Sequence, residues 1–368
     1  MREILSACSN SAALCQSIVA GSAVWHGSYR GHLEPDTRIL SLHGQAIQTF
    51  REALNNSATA YSNPTILAAA TLTHQQVLCR NRSGLKIHVD GIQTLVNARG
   101  GLHNVGWVAQ IILWIDYYTC LYVNQEPRFT WPMDNNIRLS TSPEQKYGSA
   151  FESLQLETML DPDLRQLCFE VCRIVELLES TTGKGSSKSV QDYYRYKRTM
   201  MGVQLGHIHA RLHGQGTINE CVSLTLNIIV LKVFYMHVLD ESRMDLCGKL
   251  RIALELTGDD FLQNEHMDLL TWILFAAGAL APNMSPWKGW FIDRLKTAVA
   301  AHFTHATEPS FLELYLKGYV GRVLKDHAWS DKLLAHVFET TLGLLTPSER
   351  KPLQSEKKMA SASGLFPG

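Results

Sequence analysis

Three kinds of side chain in this sequence have the types that chemistry needs: eight cysteines, fifteen histidines and two short acidic stretches. The cysteines stand at 8, 15, 79, 120, 168, 172, 221 and 247. A two-zinc cluster wraps six thiolates around its metals and draws them from two C-x2-C pairs close together in the chain. No C-x2-C pair occurs here. Cys8 and Cys15 have the right interval for one arm of such a cluster, but the next cysteine is Cys79. Cys168 and Cys172 are one helical turn apart on an apolar face, where small buried thiols are common. The cysteines therefore read as structural thiols, with no metal expected. His207, His209 and His213 cluster in GHIHARLH. On a helix the first two point apart, and the last two, one turn apart, lack an acidic partner at ligand spacing. Glu265-His266 is not part of an H-E-x-x-H motif.

The acidic stretches are Asp259-Asp260-Phe261-Leu262-Gln263-Asn264-Glu265 and Asn219-Glu220-Cys221-Val222-Ser223. Each loosely resembles a magnesium-diphosphate motif of class I terpene synthases, which are also all-helical. The order of the two is reversed, and Asn227 stands where the second motif needs its closing acid. Asp259 and Asp260 follow Thr257-Gly258 and read more simply as a helix start, where carboxylates meet free N–H groups. There is no G-x-S-x-G elbow, no phosphate-cradling glycine loop and no G-x-G-x-x-G after a strand. The sequence points away from an enzyme: no catalytic residue and no cofactor are expected.

The most informative stretch is LKIHVDGIQTLVNARGGLHNVGWVAQIILWIDYYTCLYVNQEPRF, residues 85–129. Leu85, His88, Ile92, Leu95 and Arg99 recur at helical spacing. Gly91 shares the face of His88, which would admit a second backbone. Gly100 and Gly101 end the helix, because glycine accepts the left-handed conformation that helix ends need. A second helix, Trp107 to Val123, is apolar nearly all round, ends at Pro127 and carries one charge, Asp116. A carboxylate among Ile111, Ile112, Leu113, Trp114 and Ile115 must find a cation or several donors. His88, Arg99 and Arg128 are the candidates. The arrangement reads as a buried polar clamp holding the two helices in register, a role for buried charge that specifies packing rather than signalling.

The ordered set His88, Gly91, Leu95, Val96, Arg99, Gly100, Gly101, Asp116, Pro127 and Phe129 resembles the central regulatory domain of fungal-specific transcription factors. A looser resemblance extends over the rest of the chain, including the Leu269–Ala281 run and the Trp287/Trp290 segment. The resemblance implies an all-helical regulator, working in the nucleus through contacts with other transcription proteins. It also implies a link to a secondary-metabolite gene cluster. The cysteine pattern leaves the DNA-reading zinc module out of these residues, so DNA would be reached indirectly, through a homodimer or a heterodimer with a full-length relative. An all-helical enzyme and a helical interaction protein without a transcriptional role are the alternatives.

The surrounding elements must position these residues. Apolar spacing predicts helices over Gln45–Asn55, Thr65–Cys79, Glu152–Met159, Leu164–Leu178, Asp192–His213, Ile218–Asp240, Leu312–Leu324 and Asp331–Leu345. Ser285 caps another, with Pro286 at its first position. Sustained two-residue alternation is missing, so the class is all-α: an irregular multi-helix array without a regular repeat. Residues 1–45 are poorly defined, 46–345 form the regulatory domain with polar loops near 130–147 and 181–189, and 346–368 are a loose tail. Lys plus Arg equals Asp plus Glu, 34 each, and no basic run is present, so direct grip on DNA is not expected. The N-terminus has no secretory pattern, and the Leu269–Ala281 run is short of the ~20 residues that span a bilayer.

Overall fold

A computed structural model describes residues 2–29, 37–79, 81–130, 149–152, 154–181, 188–234, 240–258, 266–283, 285–302, 309–327, 338 and 340–341. Among these every regular element is a helix, as the spacing predicts. The acidic stretch 259–265, the inner part of the 181–189 linker, most of the 130–147 loop, most of the Asp331–Leu345 helix and the tail fall outside the described residues.

The N-terminal half holds α1 (Arg2–Ser9), α2 (Ala12–Tyr29), α3 (Thr37–Asn55), α4 (Asn63–Leu78), α5 (Arg82–Ala98) and α6 (Val108–Val123). Residues 1–45 thus contain two helices and the start of a third. Their signal was faint because α2, AALCQSIVAGSAVWHGSY, spreads small and apolar residues around its whole circumference. It packs on both α3 and α4, so it presents no single polar face to read.

Helix ends follow local chemistry. Ser62 caps α4, its Oγ accepting the Thr65 N–H at 3.3 Å, with a proline in the first turn. Asn81 caps α5 by accepting the Gly84 N–H at 3.0 Å. The double glycine closes α5 in a paired arrangement. Gly101 N–H reaches Val96 O and Gly100 N–H reaches Asn97 O, both at 2.9 Å. Gly100 and Gly101 have φ of 84° and 101°, as a left-handed helix end requires. A short 3-10 turn, Leu102–Val105, then leads into α6.

The C-terminal half holds α7 (Leu154–Met159), α8 (Pro162–Thr181), α9 (Lys188–Leu212), α10 (Ile218–Phe234), α11 (Asp240–Thr257), α12 (Met267–Leu280), α13 (Trp287–His302) and α14 (Pro309–Asp326). Ser285 Oγ accepts the Trp287 N–H at 3.3 Å, the cap expected at the start of α13. α12 is buried along almost its whole length, with Trp272 and Phe275 fully enclosed. Its 14 residues are a core helix, and no single described helix is long and apolar enough to cross a membrane.

Two hydrophobic cores result, and α6 belongs to both. Val108, Ala109, Ile112, Leu113 and Ile115 pack with α4 and α5 residues such as Leu67, Ile92 and Val96. Tyr117, Tyr118, Cys120 and Leu121 pack with residues of α8 to α12, including Val171, Leu205 and Trp272. A helix buried on successive sides by different neighbours has no polar face, which explains the nearly continuous apolar run of α6.

Because one helix serves both cores, the described halves are expected to unfold together. Ile112→Ala and Leu121→Ala should each cost about 2–5 kcal/mol. Both should shift a single denaturant transition seen alike by far-UV circular dichroism and tryptophan fluorescence. Two separated transitions would contradict the shared-helix arrangement.

Candidate functional site

Asp116 sits where α6 passes from one core to the other, only 3% exposed. One carboxylate oxygen, Oδ2, accepts two backbone N–H groups, from Arg128 at 2.7 Å and Phe129 at 2.9 Å. The carboxylate therefore holds the chain that leaves α6 and folds back along it. The reversal begins at Asn124, in the left-handed conformation (φ 58°, ψ 44°), whose N–H closes α6 on Cys120 O at 2.8 Å. α6 thus ends at Asn124, ahead of Pro127, to which the sequence assigned the stop.

Each residue of the returning segment touches a different part of the fold. Pro127 is buried against Gly206 of α9: a Cβ on Gly206 would lie 2.8 Å from Pro127 Cγ and 2.9 Å from Cys120 Sγ. Phe129 enters the N-terminal core beside residues of α5 and α6. The Arg128 guanidinium pairs with Asp90 on α5. A clamp between α5 and α6 therefore exists, but it runs through Arg128 as an intermediary.

That corrects the partners expected for Asp116. Arg99 donates instead to Tyr61 O at 3.0 Å and Asn104 O at 2.8 Å. It ties the end of α5 to the loop before α4 and to the 3-10 turn. His88 is half-buried, and burial together with nearby His43 lowers its pKa. Neither residue touches the Asp116 carboxylate. Arg99 stands at the C-terminal cap of α5, and its guanidinium is taken up by carbonyls outside that helix. Gly91 is also corrected: it is exposed, and nothing lies within 4 Å of a Cβ built there. The close approach occurs at Gly206, which sequence reasoning passed over. The signal was an isolated glycine inside a strongly helical stretch, QLGHIH.

Among the described residues, several groups singled out for metal chemistry are bonded to backbone and side-chain partners. Glu220 accepts the N–H groups of Gly214 at 2.7 Å and Gly216 at 2.8 Å. Asn219 Oδ1 accepts the Asp161 N–H at 2.7 Å. Asn227, fully buried, accepts the Tyr117 hydroxyl at 2.7 Å and donates to Ser223 O at 2.8 Å. Residues 219–227 lie in the first turns of α10, where Glu220 holds the 214–216 loop with His213 Nδ1 3.4 Å from its Oε1. His209 is buried, with Nε2 3.2 Å from Asn124 Oδ1, and burial lowers its pKa to about 3. Lys249 donates to the same Asn124 oxygen at 2.7 Å and to Leu121 O at 2.6 Å, fastening α11 to the end of α6. Cys120, Cys168, Cys172, Cys221 and Cys247 are buried thiols, and burial raises the pKa of Cys168 and Cys172.

With the geometry in view, comparison with known proteins decides the family. The profile of the fungal specific transcription factor domain matches residues 1–305. The chain belongs to that family. No curated protein and no solved structure matches it. The match begins at the first residue, so α1 and α2 lie within the family domain rather than ahead of it.

Burial pushes the Asp116 carboxyl up to about 7 from 3.8, against the pull of the Phe129 and Arg128 hydrogen bonds. The folded chain therefore holds this proton more tightly than the unfolded one. Its contribution to stability is fully present below about pH 4 and is lost as pH rises through 7. Since both amides meet a single oxygen, Asp116→Asn keeps an acceptor in place. At pH 8 that variant should be more stable than the native chain by on the order of 2 kcal/mol, the gap shrinking toward pH 5. Asp116→Leu strands two buried N–H groups and should lose about 2–5 kcal/mol at either pH. Urea denaturation at the two pH values checks both.

The two glycines should behave oppositely. Gly91→Ala, in an exposed helical position, should stabilise by about 0.5–1 kcal/mol. Gly206→Ala should destabilise by about 1–3 kcal/mol, because Pro127 and Cys120 leave no room. Thermal melts of the two variants read this directly.

Proposed function

We propose that this chain is a transcription regulator that works through protein contacts and does not itself read DNA. The family match over residues 1–305 carries the reading. Two features of the sequence support the indirect route to DNA. Thirty-four basic residues are balanced by thirty-four acidic ones, whereas direct duplex binding rests on a basic patch. The cysteines also lack the paired spacing of a zinc cluster. DNA is then reached through a partner, either a second copy or a full-length relative bearing the zinc module, and the work is nuclear. The target genes are proposed to be those of a secondary-metabolite cluster, on the family resemblance alone. Catalysis has no support from the 219–227 residues, whose oxygens serve backbone and side-chain donors.

The test is a reporter assay with the whole chain fused to an independent DNA-binding module. Transcription from the cognate promoter should change at least several-fold in one direction. Asp116→Asn should retain the effect and Asp116→Leu should lose it. An unchanged reporter, with the fusion shown to be folded and promoter-bound, would overturn the regulatory reading. A magnesium-dependent product from a prenyl diphosphate, abolished by Asp259→Ala, would replace it with an enzyme.

A further inference from the structure

The faces of α5 and α6 diverge beside Asp116 and leave a cleft of about 190 Å³. Arg82, Lys86 and Val89 line it from α5, at steps of four and three. Asp116, Thr119, Cys120 and Val123 line it from α6, again on one helical stripe, and the returning segment closes it with Gln125, Glu126 and Arg128. A cavity of roughly 150 Å³ admits a benzene molecule, so this one has room for a single ring or a short branched chain.

Three cations and two carboxylates line it. Of the three cations, Arg128 is paired with Asp90. Arg82 and Lys86 form no ion pair among the described residues. Arg82 lies over the Tyr122 ring at 5.2 Å. Thr119 also lines the cleft and is 6% exposed. Val89, Cys120 and Val123 give the interior apolar surface for an uncharged body. Asp116 and Glu126 disfavour a second negative charge.

We propose that this cleft binds a small organic monocarboxylate, its anionic head held by Arg82 and Lys86 and its apolar body seated between Val89 and Val123. The ligand lies against the segment that Asp116 folds back, so occupancy stiffens the junction of α5, α6 and the 127–129 return. That occupancy alters transcription rests on the regulatory reading above. Binding itself does not, and the two are measured separately.

The experiment is isothermal titration of the full chain with benzoate at pH 6.5, with benzamide and inorganic phosphate as parallel titrants. Benzoate should bind saturably, and benzamide, the same shape without the charge, should bind at least tenfold more weakly. Phosphate, which lacks the apolar body, should also be weaker. Arg82→Gln and Lys86→Gln, both exposed positions, should keep the native melting temperature and each lose about tenfold in benzoate affinity, about 1.4 kcal/mol. No saturable benzoate heat up to about 10 mM, equal binding of benzamide, or phosphate binding as tight as benzoate would each overturn the assignment. So would native affinity in both cation variants. A chain that binds benzoate yet leaves the reporter unmoved contradicts only the regulatory reading.

Discussion

The oxygen of Asp116 that accepts the Arg128 and Phe129 amides is the constraint from which the rest of this region follows. A carboxylate inside an apolar helix is expensive, and the expense is tolerable only because two oriented N–H groups meet it. In satisfying that carboxylate the chain must turn back after Asn124. The turn then sets Pro127 against α9, Arg128 against α5 and Phe129 into the N-terminal core. Three helices are positioned by one acceptor.

The residues on which the resemblance rests lie in 85–129, around the helix that joins the two cores. α6 is the helix common to both cores, and the elements on either side of it must meet it at fixed points. Gly100 and Gly101 close α5 so that Arg99 can bind the carbonyls of Tyr61 and Asn104. The C-terminal end of α6 is fixed by Asn124, His209 and Lys249. A surface carried by either half is thereby mechanically connected to the other.

The helical class, the double-glycine stop and the Ser285 cap could be read from the chain because each is a local effect, decided within a few residues. Asp116 could be recognised as a buried carboxylate needing partners for the same reason. Of its partners Arg128 was named, as a cation; that its amide and that of Phe129 would serve was not legible. Periodicity places side chains on faces but does not say where the backbone of a following loop returns. The residues expected to serve it were cations, and the ones that do serve it are amides with no side-chain signature. α2 was unreadable because small residues surround it, and Gly206 was overlooked because its crowding comes from Pro127 and Cys120, far away in sequence. The isolated exposed Gly91 shows the converse: a glycine on a suggestive face that meets nothing.

The account stands on two hydrogen bonds, and their protection can be measured amide by amide. Native-state hydrogen exchange on the full chain should show the Arg128 and Phe129 amides exchanging as slowly as those in the centre of α6, although neither lies in a helix. In Asp116→Asn the protection should persist, and in Asp116→Leu it should collapse for these two amides ahead of the α6 interior. Exchange of Arg128 and Phe129 in the native chain at the rate of an open loop would contradict the central claim.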